Sequence, residues 1–231
     1  TTSQDIFILT IFENRIERAD IPYYLDLMQH FLTSGLNCPA PMPRRDGHVL
    51  SNIKNKPFAL FSFLEGRGVL DGDITPPLCF ELGVCLGKMH VAGQFTNMQR
   101  KNSMGWAAWK LRLDKVQKSY PSSVFSFAGP EAWKILSQEM EAFRTQWPTD
   151  LPCGNVHLDL FPNNTFIRDG HIDGIIDFYF SATDFLAYDL AIVMNAWCFK
   201  DSQWNAERWE ALRAGYESIR PLTAAEKESF Q

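Results

Sequence analysis

The stretch GNVHLDLFPNNTFI, residues 154–167, places His157, Asp159 and Asn164 in a segment interrupted by Gly154, Pro162 and Asn163. A carboxylate thus follows a histidine by two residues, and a side-chain amide follows the carboxylate by five, all in turn-forming surroundings. Eighteen residues beyond Asp159 stands Asp177, at the end of the apolar pair Ile175-Ile176 in GIIDFYF. Apolar residues that deliver a single acid describe a strand end presenting a charge. Twelve residues further on, Asp189 in AYDLA opens an apolar helix.

The composition around this segment is that of a globular protein. Its 231 residues are 45% hydrophobic and 21% charged, enough for one large core or two modest ones. A net charge of −5, with no run of Lys or Arg, argues against nucleic acid as a partner. It leaves room for an anionic small ligand, because a local cation reverses the field. No apolar run reaches the ~18 residues of a membrane span, so no membrane partner is expected. Five cysteines without a CxxC pair read as free thiols of a reducing, cytoplasmic compartment. The five histidines form no HxxxH-type metal pattern. The chain opens on Thr rather than Met, with a turn-like TSQD before its first strand, and ends just after a helix start. It reads as a piece of a longer protein.

Along the chain, residues 6–12 are β-branched and aromatic and predict a strand. Residues 20–34 put Tyr24, Leu25, Met28, Phe31 and Leu32 on one face of a helix that Gly35 ends. CPAPMPRRDG is a loop, and FALFSFLEG, 58–66, is a second strand. Thr75 caps a helix beginning at Pro76-Pro77, with its apolar face over 78–91. Further helices are expected over 130–147, 185–199 and 206–219. A capping box, Thr223 with Glu226, opens another. Between them lie short strands near 164–167 and 174–178, joined by the turn RDGH. The expected class is α+β: a β-containing part over residues 1–64, then a mainly helical part over 65–231.

A chemistry that uses such a set is phosphoryl transfer. It needs a carboxylate to orient a hydroxyl and accept its proton. It also needs Mg²⁺ held by a second carboxylate and an amide oxygen. The kinase catalytic loop H-R-D-x-x-x-x-N, followed by a metal-binding Asp, has this layout. His157-x-Asp159-x-x-x-x-Asn164 and then Asp177 match it except at Leu158. VHLDLFPNNTFI, GIIDFYF and DFLAYDLAIVMNAWCF resemble the aminoglycoside phosphotransferase and choline kinase superfamily. Within it they resemble the homoserine kinases of the protein-kinase-like type. FILTIFENR, LMQHF and CPAPMPRRDG are similar as well, so the likeness spans nearly the whole chain.

The resemblance implies a bilobal protein-kinase-like fold with ATP and Mg²⁺ as cofactors. Adenine would lie along the hinge strand at Phe61, Phe63 and Leu64. Asp159 would be the base, Asn164 and Asp177 the metal ligands, and His157 a brace for the catalytic loop. Tyr179 and Asp189 are candidate substrate neighbours, Asp189 with a competing role as anchor of the loop and helix. Homoserine is the favoured alcohol, with choline-like and aminoglycoside substrates as alternatives. The family's phosphate-binding lysine aligns with Thr10, and no Lys occurs before residue 54. Its acidic helix partner has only Asp26 nearby, and a kinase-like nucleotide-binding module without transfer activity is the rival reading. Tyr188 and Trp197 read more simply as core. Arg44, Arg45 and Arg67 read as solvated cations, Gly66-x-Gly68 is no P-loop, and DGD at 71–73 is a turn.

Overall fold

The computed structural model describes residues 6–13, 16–119 and 121–230; the turn expected at residues 2–5 lies outside them. In chain order it runs through strand β1 (Phe7–Ile11), helix α1 (Ile21–Thr33), and the hairpin β2 (Ser51–Ile53) and β3 (Lys56–Ser62). Then come β4 (Arg67–Gly68), α2 (Pro76–Gln94), α3 (Trp106–Ser119) and α4 (Pro121–Gln146). The last part holds β5 (Cys153–Val156), β6 (Thr165–Arg168), β7 (His171–Ile175), β8 (Ala182–Phe185) and α5 (Leu186–Trp197). It closes with β9 (Phe199–Lys200), β10 (Gln203–Trp204), α6 (Ala206–Glu217) and α7 (Ala224–Glu228).

The chain forms two compact units, Thr1–Lys101 with Pro152–Gln231, and Asn102–Leu151. In the first, β3 is flanked by β1 and β2, both antiparallel, with Ile8 opposite Phe61 and Thr10 opposite Ala59. Strand alternation turns Pro57, Ala59 and Phe61 inward. Helix α1 lays Tyr24, Leu25, Met28 and Phe31 on the core. Its end at Gly35, φ +83°, uses the left-handed backbone that glycine adopts without strain.

The Thr75 hydroxyl accepts the Leu78 N–H at 3.4 Å and so caps α2. Helices α2 and α6 meet backbone to backbone. A Cβ built on Gly83 would stand 2.0 Å from the Leu212 carbonyl oxygen, and one on Gly215 would stand 2.0 Å from that of Phe80. Strand β5 pairs antiparallel with β8, and β6 lies between β4 and β7. The hairpins β2–β3, β6–β7 and β9–β10 close through Lys54-Asn55, Asp169-Gly170 and Asp201-Ser202. All six residues have positive φ, the geometry that matches strand twist in two-residue turns. The second unit pairs α3 with α4. Trp106 stacks on Trp147 at 6.3 Å, while Trp109 and Phe143 meet Trp147 edge-on at 5.5 and 5.9 Å.

Two strand boundaries differ from expectation. β3 ends at Ser62 rather than 66, because residues 63–65 run extended without a ladder before Gly66 turns at φ +91°. β7 starts at His171 and stops at Ile175, since Asp177 is left-handed and Phe178–Phe180 form a 3-10 turn. The Thr223–Glu226 capping box forms as expected.

Candidate active site

The segment after β5 is held from below by one carboxylate. Asp189 is fully buried at the start of α5, and its Oδ2 accepts the backbone N–H of His157 at 3.0 Å and faces His90 Nε2 at 3.0 Å. Its Oδ1 accepts the N–H of Leu158 at 2.8 Å. Two consecutive amides converging on one carboxylate hold Leu158 at φ +63°, a backbone that a leucine does not adopt unaided. Burial alone would raise the Asp189 pKa. The hydrogen bond and charge of His90, with the backbone N–H of His157, outweigh burial and hold it below the ordinary value. Trp197 extends this support, donating from Nε1 to the Leu160 carbonyl at 2.9 Å.

His157 is likewise buried. One ring nitrogen, Nε2, meets the Ile176 carbonyl at 3.0 Å, and the other, Nδ1, accepts the N–H of Asp159 at 3.2 Å. One donor and one acceptor fit the neutral ring protonated on Nε2. Burial lowers its pKa in the same sense, against the pull of Asp189, Ile176 and Asp177. The ring therefore braces two strands of chain.

Asn164 completes the loop. Its Nδ2 donates to the Asp159 backbone carbonyl at 2.7 Å and to Asp159 Oδ2 at 2.9 Å. Its own carbonyl accepts the N–H of Ile176 at 2.9 Å. Ile176 is thus pinned through both its N–H and its C=O, and this sets the position of Asp177, whose φ is +64°. Desolvation, then the charge of Asp177, raise the Asp159 pKa, with the Asn164 bond opposing.

Beside Asp177 opens a cleft of about 320 Å³, mainly apolar. Ile8, Thr10, Phe61 and Phe63 line one part of it, and Phe166 and Tyr179 another. Among the described lining residues Asp177 is the charged one. An adenine-sized aromatic body suits such walls.

Of the residues expected from sequence, Asp159 and Asn164 are in direct contact, with Asp177 close enough to act on the Asp159 charge. Phe61, Phe63, Leu64 and Tyr179 lie on the cleft. Asp189 is corrected as a substrate neighbour. It is fully buried, with both oxygens engaged by protein groups, and serves as the anchor. Trp197 is core. Asp26 is exposed on α1 and is not among the residues that line the cleft. Arg44 pairs with Asp46 and Arg67 with Asp73. Sequence reasoning missed His90 and Tyr216, whose Nδ1 and hydroxyl lie 2.8 Å apart behind Asp189, and also Arg100. The hydrogen-bond partners of the His90 and Arg100 side chains lie 80 to 126 residues away, so no local spacing marks these two.

For a hard cation the donor set fits. Among the described residues no three His, Cys, Asp or Glu side chains gather, but Mg²⁺ shared with phosphates needs only one or two protein oxygens. Asn164 Oδ1, free of hydrogen bonds among the described residues, and the Asp177 carboxylate could supply them. The mutual repulsion of Asp159 and Asp177 is what a cation there would relieve.

A model of the phosphotransferase enzyme family matches residues 1–222. The chain belongs to this family, and it is an ATP-dependent small-molecule kinase with a protein-kinase-like α+β fold. A homoserine kinase of Rhizobium rhizogenes is 42% identical over 226 residues, 97% of this chain and 68% of the relative. That of Agrobacterium fabrum is 40% identical over 234 residues, 99% of this chain and 69% of the relative. Among solved structures, an amicoumacin kinase with AMP-PNP and Ca²⁺ superposes with TM-score 0.77 at 18% identity, over 96% of this chain and 68% of that one. A spectinomycin phosphotransferase with ADP gives 0.72 at 14% identity, over 100% and 72%.

Proposed function

We propose that the acceptor is L-homoserine and the product O-phospho-L-homoserine, on the way to threonine. The observation that carries this reading is the 42% identity, over 97% of the chain, to a relative named for that reaction. In this reading Asp159 receives the hydroxyl proton as the hydroxyl oxygen bonds to the γ-phosphorus of ATP. The bond from that phosphorus to the bridging oxygen breaks, and ADP leaves. A base with a raised pKa suits proton acceptance near neutrality. Asn164 keeps the Asp159 carboxylate aimed, and His157 holds the loop. Mg²⁺, held by Asn164 and Asp177, would neutralise the phosphate oxygens when bound. Adenine lies against Phe61, Phe63 and Leu64. Residues 1–64 supply the nucleotide-facing sheet and hinge, and residues 65–231 the catalytic loop. The free thiols fit a cytoplasmic setting.

One observation favours a second reading, nucleotide binding without transfer: β1 brings Thr10 to the cleft, and no lysine is among the described residues that line it. ADP formation from Mg·ATP with L-homoserine, choline or kanamycin separates the two, with Asp159→Asn run in parallel. Turnover with homoserine alone, abolished in the variant while ADP still binds, is expected. Nucleotide binding without turnover on any of the three supports the second reading. Equal loss of binding and turnover in Asp159→Asn overturns its role as base.

A further inference from the structure

The turn that carries Asp177 is gripped from the side of α1 by an aromatic ring and by one arginine. Asp26 points to solvent, and β1 offers Thr10 in place of a cation. Two residues after Asp177, the Tyr179 ring stands edge-on to Tyr24 of α1 at 5.7 Å and to Phe12, just past β1, at 5.5 Å. Thr10 of β1 and Tyr179 line the same cleft. Tyr24 is itself buried, and the Arg100 guanidinium covers its ring at 5.0 Å. Arg100 then donates from Nε to Asp20, at the N-terminus of α1, at 2.6 Å, and from Nη1 to the carbonyl of Ser181 at 3.0 Å. The turn 177–181 is therefore tied to α1 twice, through the Tyr179 ring and through the Ser181 carbonyl.

We propose that Tyr179, backed by Tyr24 and Arg100, is the positioning residue that couples α1 and β1 to the metal-binding Asp177, in place of a lysine–acid pair. This rests on the kinase reading above. Edge-to-face ring pairs and a guanidinium over an aromatic face are both directional contacts. They hold orientation without placing a charge beside the phosphates. A residue that only filled the core would alter stability and leave the metal dependence of nucleotide binding unchanged.

The test is calorimetric binding of ADP with and without Mg²⁺ to the wild-type chain and to Tyr179→Ala, Tyr179→Phe and Arg100→Gln, with thermal unfolding recorded beside it. Tyr179→Ala is expected to weaken Mg·ADP about tenfold and to raise the Mg²⁺ concentration for half-saturation. Metal-free ADP binding should change less than about twofold. Tyr179→Phe, which keeps the ring, recovers most of the loss, and Arg100→Gln shifts in the same direction as Tyr179→Ala. If Tyr179→Ala does not fold, Arg100→Gln decides, since glutamine keeps a polar side chain of similar reach beside Asp20 and the Ser181 carbonyl. Variants that keep the wild-type Mg²⁺ dependence overturn the coupling alone. A wild-type chain that binds no Mg·ADP overturns the kinase reading and the coupling with it.

Discussion

Asp189 carries more of the site's geometry than its place in the sequence suggests. Three groups converge on it, two of them amides of the catalytic loop. Its replacement by Asn puts an NH₂ where one of those donors now points. Leaving such a buried group unpaired costs about 1–3 kcal/mol, more when a charge is involved. Asp189→Asn is therefore expected to lower unfolding stability by about 2–4 kcal/mol at pH 7, read from urea midpoints. The pH dependence has a definite sign. The folded pKa lies below the ordinary carboxylate value, so this stabilisation is complete above that value. It disappears as pH falls through the folded pKa, and the gap between wild type and variant should close in acid. At this scale the sequence is a good guide to Asp159, Asn164 and Asp177, because a loop and a strand end keep them in one short stretch. It is silent on His90 and Arg100, whose partners come together only through tertiary packing.

Elements with strong local signals came through well. α1, α2, α5, α6 and the α7 cap all carry periodic apolar faces, prolines at the first turn or a capping hydroxyl, and each forms where these predict. α3 went unread because none of its residues is buried, so its few apolar positions are spread among charged ones without a core-facing run. β5 and β8 are four residues each, too short for alternation to show. β2 and the β9–β10 hairpin depend on left-handed Lys54-Asn55 and Asp201-Ser202, turns without the glycine that usually announces them. The closest approach between elements, α2 on α6, is set by glycines that read in sequence as helix weaknesses. Gly83→Ala forces a methyl group against the Leu212 carbonyl. It should cost at least about 1–3 kcal/mol despite the better helix propensity of alanine, seen as a lower urea midpoint at unchanged slope.

For the molecule as a whole, a ligand that binds only the folded chain must raise its melting temperature. Mg·ADP at about 100 times its Kd adds about 2.7 kcal/mol. For a chain of this length that corresponds to a rise of roughly 5–10 °C in differential scanning calorimetry. Asp177→Ala should cut most of the Mg²⁺-dependent part of that rise and leave the metal-free part. A melting temperature indifferent to Mg·ADP counts against the cleft beside Asp177 as the nucleotide site.

The amides of His157 and Leu158 point into a carboxylate with no solvent exposure, at the foot of α5. Neither hydrogen can exchange with deuterium unless Asp189 leaves its pocket, and that displacement takes α2 and α6 with it through His90 and Tyr216. These two amides should therefore be among the slowest-exchanging in the chain, at the rate of global opening. The loop that carries the base has no low-energy route to loosen by itself. Heat would then inactivate this protein only at the temperature where the unit that carries Asp189 unfolds.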